Sequence, residues 1–214
     1  GRDMSNAIST RIEPLFATPL GVFTLPDFER VNAGLKGEIL EREQADRGVG
    51  RSNVGGWHSG YDLLSWPIPE VAELGKAVQQ AVLTLATKIV GANQIQAKMA
   101  MEGWANVSRA GNYNKLHYHP NWHLSVVYYV EAGDPPPSDN PESGCLEFTD
   151  PRGAVGMFGL DGSDFGKTYR IPAKTGRLLV FPSFLQHWVH PYLGSGERIS
   201  LAIIVRLRDI ARLR

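Results

Sequence analysis

The sequence predicts an α+β fold, mainly β, in which two helices near the N-terminus support a sandwich or barrel of strands. Two segments in the first half of the chain carry apolar residues at helical spacing. From Ile95 onward the pattern changes to short alternating runs separated by Gly, Pro, Asn and Asp, which is typical of strands joined by turns. Two helices followed by about eight strands fit one large domain, and a chain of 214 residues buries a substantial core without disulfides.

Residues 12–94 are predicted to form an edge strand, two helices and a loop. Ile12–Leu25 alternates roughly and contains two prolines, which suits a strand at the edge of a sheet. Pro26–Arg47 and Pro69–Val90 show helical spacing and begin with proline, and we expect both helices to cover one face of the sheet. Ser52–Trp66 between them has no periodicity but holds two tryptophans, so we expect an ordered loop.

Residues 95–214 are predicted to form the β core of the same domain, which therefore spans residues 1–214. Pro135–Ser143 is expected to be a surface loop, because a strand could not hold its consecutive prolines. The candidate strands are Gln96–Val107, Lys115–His119, His123–Glu131, Gly144–Thr149, Thr168–Ile171, Arg177–Phe181 and Arg198–Leu207.

Charge and cysteine content indicate the partners and the compartment. Lys+Arg and Asp+Glu both number 22, so no global field favours nucleic acid or an anionic membrane. The single cysteine, Cys145, excludes an internal disulfide and fits a reducing cytoplasm. A signal-peptide pattern and an apolar run of membrane-spanning length are both missing from the sequence. We therefore expect a cytoplasmic protein with a small-molecule or peptide substrate, and Ile12–Leu25 could pair with a second subunit in a homodimer.

Five of the six histidines fall in two short clusters, L-H-Y-H-P-N-W-H and Q-H-W-V-H. His117 and His119 have the i, i+2 spacing that places two side chains on one face of a strand. His187, about seventy residues later, could close a metal site from a neighbouring strand and leave positions open for substrate. Strand parity also places His123 on the face of His119, although Pro120 and Asn121 indicate a turn between them. The residues alone leave open which of the two completes the site.

A second constellation indicates a bound dicarboxylate. Alternation in Arg198–Val205 places Arg198 and Ser200 on the face opposite the apolar residues. An arginine that faces inward is costly unless an anion meets it, and a dicarboxylate could chelate the metal and dock on Arg198 and Ser200. Tyr129 lies on the ligand side if His123 begins its strand. The alternative is that Arg198 pairs with an acidic side chain at the surface.

With these residues in place, the chain resembles the Fe(II)/2-oxoglutarate-dependent dioxygenases, specifically their prolyl-hydroxylase-like branch and a group of bacterial and phage proteins within it. The resemblance covers about half of the chain and implies a double-stranded β-helix, or jelly roll. The motifs that carry it are Trp104–Ser108 (W-A-N-V-S), His117–Asn121 (H-Y-H-P-N), Leu124–Val130 (L-S-V-V-Y-Y-V), Leu146–Arg152 (L-E-F-T-D-P-R), Phe181–His187 (F-P-S-F-L-Q-H) and Arg198–Ser200 (R-I-S).

The resemblance implies an oxidoreductase that uses Fe(II) and 2-oxoglutarate, with ascorbate as a reductant. It implies that His117 and His187 are iron ligands, and that Arg198, with Tyr129 and Ser200, binds the distal carboxylate of 2-oxoglutarate. The implied reaction hydroxylates a substrate and converts 2-oxoglutarate to succinate by decarboxylation. The wider superfamily has His-x-Asp or His-x-Glu where this chain has His119. A neutral third ligand leaves the metal centre one charge more positive.

The same residues are also compatible with two other functions. Gly111-x5-His117-x-His119 and Gly176-x5-Pro182-x4-His187 also match much of the cupin signature, which would give a three- or four-histidine metalloenzyme on a similar barrel. A non-enzymatic jelly roll that binds metal or sugar is the third reading. Arg198 separates the first reading from a cupin, because a cupin needs no anchor for a carboxylate. For the substrate pocket, the sequence suggests Trp104, Asn106 and His123.

Overall fold

The computed structural model of the chain describes residues 11–213, so the ends of the predicted domain, residues 1–10 and 214, lie outside it. It contains two α-helices, α1 (Phe28–Ala45) and α2 (Pro69–Val90), and two short 3₁₀ turns. The strands are β1 (Gly21–Thr24), β2 (Asn53–Val54), β3 (Trp57–His58), β4 (Gln94–Ser108), β5 (Tyr113–His117), β6 (Leu124–Glu131), β7 (Leu146–Phe148), β8 (Tyr169–Ile171), β9 (Arg177–Pro182), β10 (His187–Val189) and β11 (Arg198–Leu213).

The strands form two antiparallel sheets that face each other. The six-stranded sheet has the order β1-β9-β6-β11-β4-β3, and the five-stranded sheet has the order β2-β5-β10-β7-β8. Chain neighbours are often separated in this order, which is typical of a double-stranded β-helix. The predicted mainly β fold with two supporting helices is therefore confirmed.

Both helices pack on the outer face of the six-stranded sheet because each presents an apolar stripe to it. In α2 the stripe includes Leu74, Val78 and Leu85, all buried in the main core cluster. Proline at its first position and Gly91 after its last residue, with φ +63°, set the limits of α2 at the predicted residues. The first helix is two residues shorter at each end than its prediction.

A buried hydrogen-bonded pair fixes α1 to the six-stranded sheet. The amide nitrogen of Asn32 donates to the backbone carbonyl of Val130 at 2.9 Å, and the Tyr128 hydroxyl donates to Oδ1 of Asn32 at 2.6 Å. Both side chains are buried. Since the pair satisfies polar groups that water does not reach, it holds the helix at one position on the sheet.

The strands β4 and β11 form the longest ladder in the described residues, with Arg198 opposite Ser108 and Leu213 opposite Gln94. Ile199, Leu201, Ile203 and Val205 of β11 belong to the core beneath the helices. The alternate residues, from Arg198 onward, therefore face the five-stranded sheet. On that inner side, a second apolar cluster contains Tyr129, Leu146, Phe148, Leu179 and Phe181.

Several elements differ from their predictions. Of Ile12–Leu25, only Gly21–Thr24 is a strand, paired with β9 at the edge of the sheet. Ser52–Trp66, predicted as a loop, contributes β2 and β3, which pair with β5 and β4. The strand predicted to end at Leu207 continues to Leu213. In the described part of the chain, neither helix combines the length and apolar character needed to cross a bilayer.

Candidate metal centre

Three imidazole rings meet at one end of the space between the sheets. His117 ends β5, and His187 begins β10 directly opposite it in the antiparallel ladder. One nitrogen from each of these rings and one from His119 all lie within 4.8 Å of one another. Three imidazoles at this separation can coordinate a single transition-metal ion and leave its remaining positions open. The structure therefore brings together the three histidines that the sequence singles out.

Backbone carbonyls hold two of the rings in a defined orientation. Nδ1 of His117 lies 2.6 Å from the carbonyl oxygen of Lys115, and Nδ1 of His187 lies 2.8 Å from that of Leu185. A carbonyl oxygen only accepts, so Nδ1 carries the proton in both rings. The Nε2 lone pairs are thus left free for a metal, and the carbonyls supply the outer contacts that metal-binding histidines ordinarily make.

Burial keeps the cluster neutral. Desolvation, followed by repulsion from the His117 ring, lowers the pKa of His187 to about 3. The same two causes lower the pKa of His119 to about 4, and burial also lowers the pKa of His117. At neutral pH all three imidazoles are unprotonated, which is the form that binds a metal.

His119 reaches the cluster from outside the strand, and His123 does not reach it. The strand β5 ends at His117, and the N–H of His119 donates to the carbonyl of Ser183 at 3.0 Å. Asn121 then adopts φ +67°, which breaks the strand parity that had placed His123 on the same face. The Nδ1 of His123 instead accepts the N–H of Leu207 at 3.0 Å.

A buried cation lies deeper between the sheets, on the wall formed by β6 and β11. Arg198 is 2% exposed, and its guanidinium carbon lies 5.2 Å from the centre of the Tyr129 ring. The Nε of Arg198 and the hydroxyl of Tyr129 are buried without a hydrogen-bond partner in the structure. Ser200 faces Tyr129 across the ladder. Among residues 11–213, Arg198 has no carboxylate partner, so the alternative of a surface ion pair is not seen and the site fits a bound anion.

The wall between this cation and the histidines is partly polar. Asn106 lies opposite Ser200 on one side and opposite His58 on the other, and its Oδ1 is also buried without a partner. Trp104, two residues earlier, has its ring centre 5.7 Å from that of His119. Trp104 and Asn106 thus line the space beside the histidines, whereas His123 lies outside it.

His58 of the glycine-rich segment, which the sequence suggested as a residue that could line the cleft, also lies on this wall. Its ring is buried and stacks on Trp104 at 5.3 Å with an interplanar angle of 10°. The two-residue strand β3 places it there through pairing with β4. The sequence shows a histidine between tryptophan and serine in a glycine-rich segment. Nothing in that segment indicates that it pairs with β4.

Sequence reasoning missed an ionic cluster around the buried Glu147 on the outer side of the five-stranded sheet. Glu147 alternates with the inward Leu146 and Phe148, and its carboxylate accepts Nε2 of His190 at 2.9 Å. Arg170 binds the same carboxylate and that of Glu142. His190, which directly follows β10, therefore fixes the segment after β10 to β7.

Comparisons with known proteins relate the chain to one class of enzyme. The family model described as "Putative 2OG-Fe(II) oxygenase" matches residues 102–203, which include every residue of the cluster and of the cation site. Among curated proteins, none matches the chain. The structure is similar to a prolyl-4-hydroxylase from Pseudomonas putida, with a TM-score of 0.61, 18% identity and coverage of 90% of this chain and 94% of that one.

Two other solved structures with bound 2-oxoglutarate share the fold. The viral collagen prolyl hydroxylase of Paramecium bursaria Chlorella virus-1 has a TM-score of 0.52 and 13% identity, covering 87% of this chain and 95% of that one. HygX from Streptomyces hygroscopicus, with nickel and 2-oxoglutarate, has a TM-score of 0.56 and 16% identity, covering 88% and 82%. The fold and the family match together point to an enzyme of the 2-oxoglutarate/Fe(II) oxygenase type. Fe(II) and 2-oxoglutarate, which the family description names, fit the histidine cluster and the buried cation.

Proposed function

We propose that the protein hydroxylates a C–H bond of a peptide or small-molecule substrate, with O₂ and 2-oxoglutarate as co-substrates and with succinate and CO₂ as co-products. In this proposal His117, His119 and His187 hold Fe(II). The bound iron and 2-oxoglutarate supply the oxygen-activating chemistry. The task of the chain is to bind, orient and desolvate these groups. We further propose that the enzyme works in the cytoplasm, without nucleic acid as a partner.

The proposal rests on two groups of residues in the same space, one able to bind a metal and one able to bind an anion. Three neutral imidazoles converge on one point, and a buried guanidinium without a carboxylate lies deeper on the facing sheet. A dicarboxylate that chelates a metal with one end and meets Arg198 with the other satisfies both. Arg198 and the Tyr129 hydroxyl would share the distal carboxylate, and Ser200 lies beside them. A charge-assisted hydrogen bond of this type contributes about 1.5–3 kcal/mol.

Apolar side chains close the other sides of this space. The ring centre of Phe181 lies 4.9 Å from that of His187, and Phe148 packs against Phe181 at 4.8 Å. These rings exclude water from the ligand side of His187, which strengthens electrostatic interactions within the site. The family match favours this function over a cupin, and the buried Arg198 gives it a role that a cupin site does not need.

The direct test is succinate formation from 2-oxoglutarate by the purified protein with Fe(II) and ascorbate. We expect turnover with the wild type, and a loss of at least tenfold in apparent affinity for 2-oxoglutarate with Arg198→Lys, because a single ammonium group does not reproduce the planar fork. Binding of 2-oxoglutarate to the Ni(II)-loaded protein gives a second readout that does not need activity. Wild-type binding that Arg198→Lys leaves unchanged would disprove the anchor.

A further inference from the structure

An apolar groove of about 680 Å³ lies at one end of the six-stranded sheet, next to the end of α2. The turns that carry His119 and His187 build one wall of it through Trp122 and Phe184. Ile89 at the end of α2 and Ile210 on β11 build the other. Phe184, Ile89 and Ile210 are 58%, 49% and 47% exposed. Large apolar side chains grouped in this way on an exposed surface indicate a site that binds another molecule.

The groove lies where a strand is missing from the six-stranded sheet. β6 begins at Leu124, opposite Val205, whereas β11 continues to Leu213. Within residues 11–213, the pairing of β6 with β11 thus stops where the groove begins, and the ring of His123 accepts the N–H of Leu207 just beyond. Beyond Leu207 this edge of β11 has no neighbouring strand in the described residues, and a bulge interrupts it at Asp209, where φ is +52°. Unpaired backbone groups of this kind can accept an extended polypeptide as an added strand.

The rim of the groove is cationic. The guanidinium of Arg206 lies 4.9 Å from the ring centre of Trp122, and Nη2 of Arg212 donates to the carbonyl of Val90 at 2.8 Å. In the part of the chain that the structure describes, neither arginine forms an ion pair with a carboxylate. The acid on the same stretch, Asp209, is held by Lys98 at 2.7 Å. The rim therefore favours a negatively charged occupant.

We propose that this groove binds the substrate of the enzyme, and that the substrate is a polypeptide whose docking segment has a large apolar residue flanked by acidic residues. The apolar side chain fills the space between Trp122 and Ile210, the carboxylates meet Arg206 and Arg212, and the backbone pairs with the edge of β11. An anionic lipid surface would match the charge and the apolar floor but would leave that backbone edge unpaired. The inference rests on the proposed function only where it names the docked chain as substrate.

The test is selection from a displayed library of random 12-residue peptides against the metal-free full chain. We expect enrichment of peptides in which Asp or Glu flanks Leu, Ile, Phe or Trp. A selected peptide should bind about tenfold more weakly to Arg212→Glu and to Ile210→Glu, which is about 1.4 kcal/mol. Both residues are exposed, so these substitutions should leave folding intact. Lys76→Glu is the matched control, since its charge change lies about 20 Å along α2 from Ile89.

Three outcomes overturn the proposal: no enrichment of acidic-apolar peptides, enrichment that both groove variants leave unchanged, or an equal loss in Lys76→Glu. Binding to phosphatidylserine vesicles in place of peptides, or a dimer that Ile210→Glu dissociates, also overturns it in favour of a membrane or a second copy. Peptide binding needs neither metal nor 2-oxoglutarate. A wild type that binds peptide but forms no succinate would therefore refute the proposed function and leave the groove assignment standing.

Discussion

His119 is the residue at which this chain departs from the His-x-Asp or His-x-Glu pattern of the enzymes that it resembles. One nitrogen of its ring lies within 4.8 Å of a nitrogen of each of the other two imidazoles. Imidazole is neutral, so a metal in the proposed site would keep its full charge until an anionic ligand binds. Such a site would depend more on 2-oxoglutarate for charge compensation than a site with a carboxylate ligand.

Replacing His119 with aspartate should raise the affinity for Mn(II) by at least tenfold, because hard divalent cations prefer carboxylate ligands and the site is partly desolvated. His119→Asn, which has the same shape without the charge, should bind Mn(II) more weakly than the wild type. Calorimetric titration of the three proteins measures the order. Equal affinities of the Asp and Asn variants would show that residue 119 does not touch the metal.

Periodicity and spacing in the sequence predict which side chains belong to the site only where those side chains lie on regular strands. Alternation around Arg198, Ser200 and Tyr129 places them on the inner face, and the structure has them there. The proposed metal and anion roles of these residues stay predictions. His58 and Glu147 could not be found in this way, because their partners lie far away in sequence and only the fold brings them together.

At the scale of elements, local signals determine the helices better than the short strands. The limits of α2 follow from a proline, a glycine and an apolar stripe within one segment. By contrast, β2, β3 and β10 contain two or three residues each, which is too short for a period. They are strands because a neighbouring strand pairs with them. The turn at Asn121 likewise determines that His123 leaves the site, and the sequence could only suggest it.

The attachment of α1 to the sheet can be tested with Asn32 and Tyr128. Asn32→Leu should lower the free energy of unfolding by about 1–3 kcal/mol, because it leaves the buried Tyr128 hydroxyl without its acceptor. Tyr128→Phe should cost less, and the double variant should cost less than the sum of the two single changes. Urea unfolding of all four proteins gives the coupling energy. Strict additivity would show that the hydrogen bond at 2.6 Å does not contribute.

At the scale of the whole molecule, the buried histidines make stability depend on pH. The pKa of His187 is about 3 and that of His119 about 4 in the folded protein, whereas unfolded histidine titrates near its ordinary value of about 6.5. Above pH 6.5 both states are neutral. Below it the unfolded chain takes up protons that the folded chain does not, so stability is lost as the pH falls from 6.5 towards 4.

Each of these groups should lower the free energy of unfolding by about 1.4 kcal/mol per pH unit in that window. Urea titrations in the presence of a chelator at pH 7, 6 and 5 measure the slope. His187→Gln should reduce it, whereas Gln186→Ala, which removes a neighbour without an ionisable group, should retain the wild-type slope. A slope that His187→Gln leaves unaltered would mean that this ring is protonated in the folded state.

The pattern of residues alone does not predict the overall architecture. Two helices and a series of strands indicate a sandwich or a barrel, and the order in which those strands pair depends on contacts far apart in sequence. The resemblance to a family supplied the double-stranded β-helix, and the two interleaved sheets confirm it.

The length of β11 sets the distance between the histidine cluster and the groove. Ala202 lies opposite Trp104, beside the histidines, and Ile210 lines the groove eight residues further along the strand. At about 3.3 Å per residue this distance is roughly 26 Å. A metabolite of ordinary size is too short to touch both points at once. Only a polymer can contact both points at once. The distance from the segment anchored in the groove would then determine which residue of the polymer is hydroxylated.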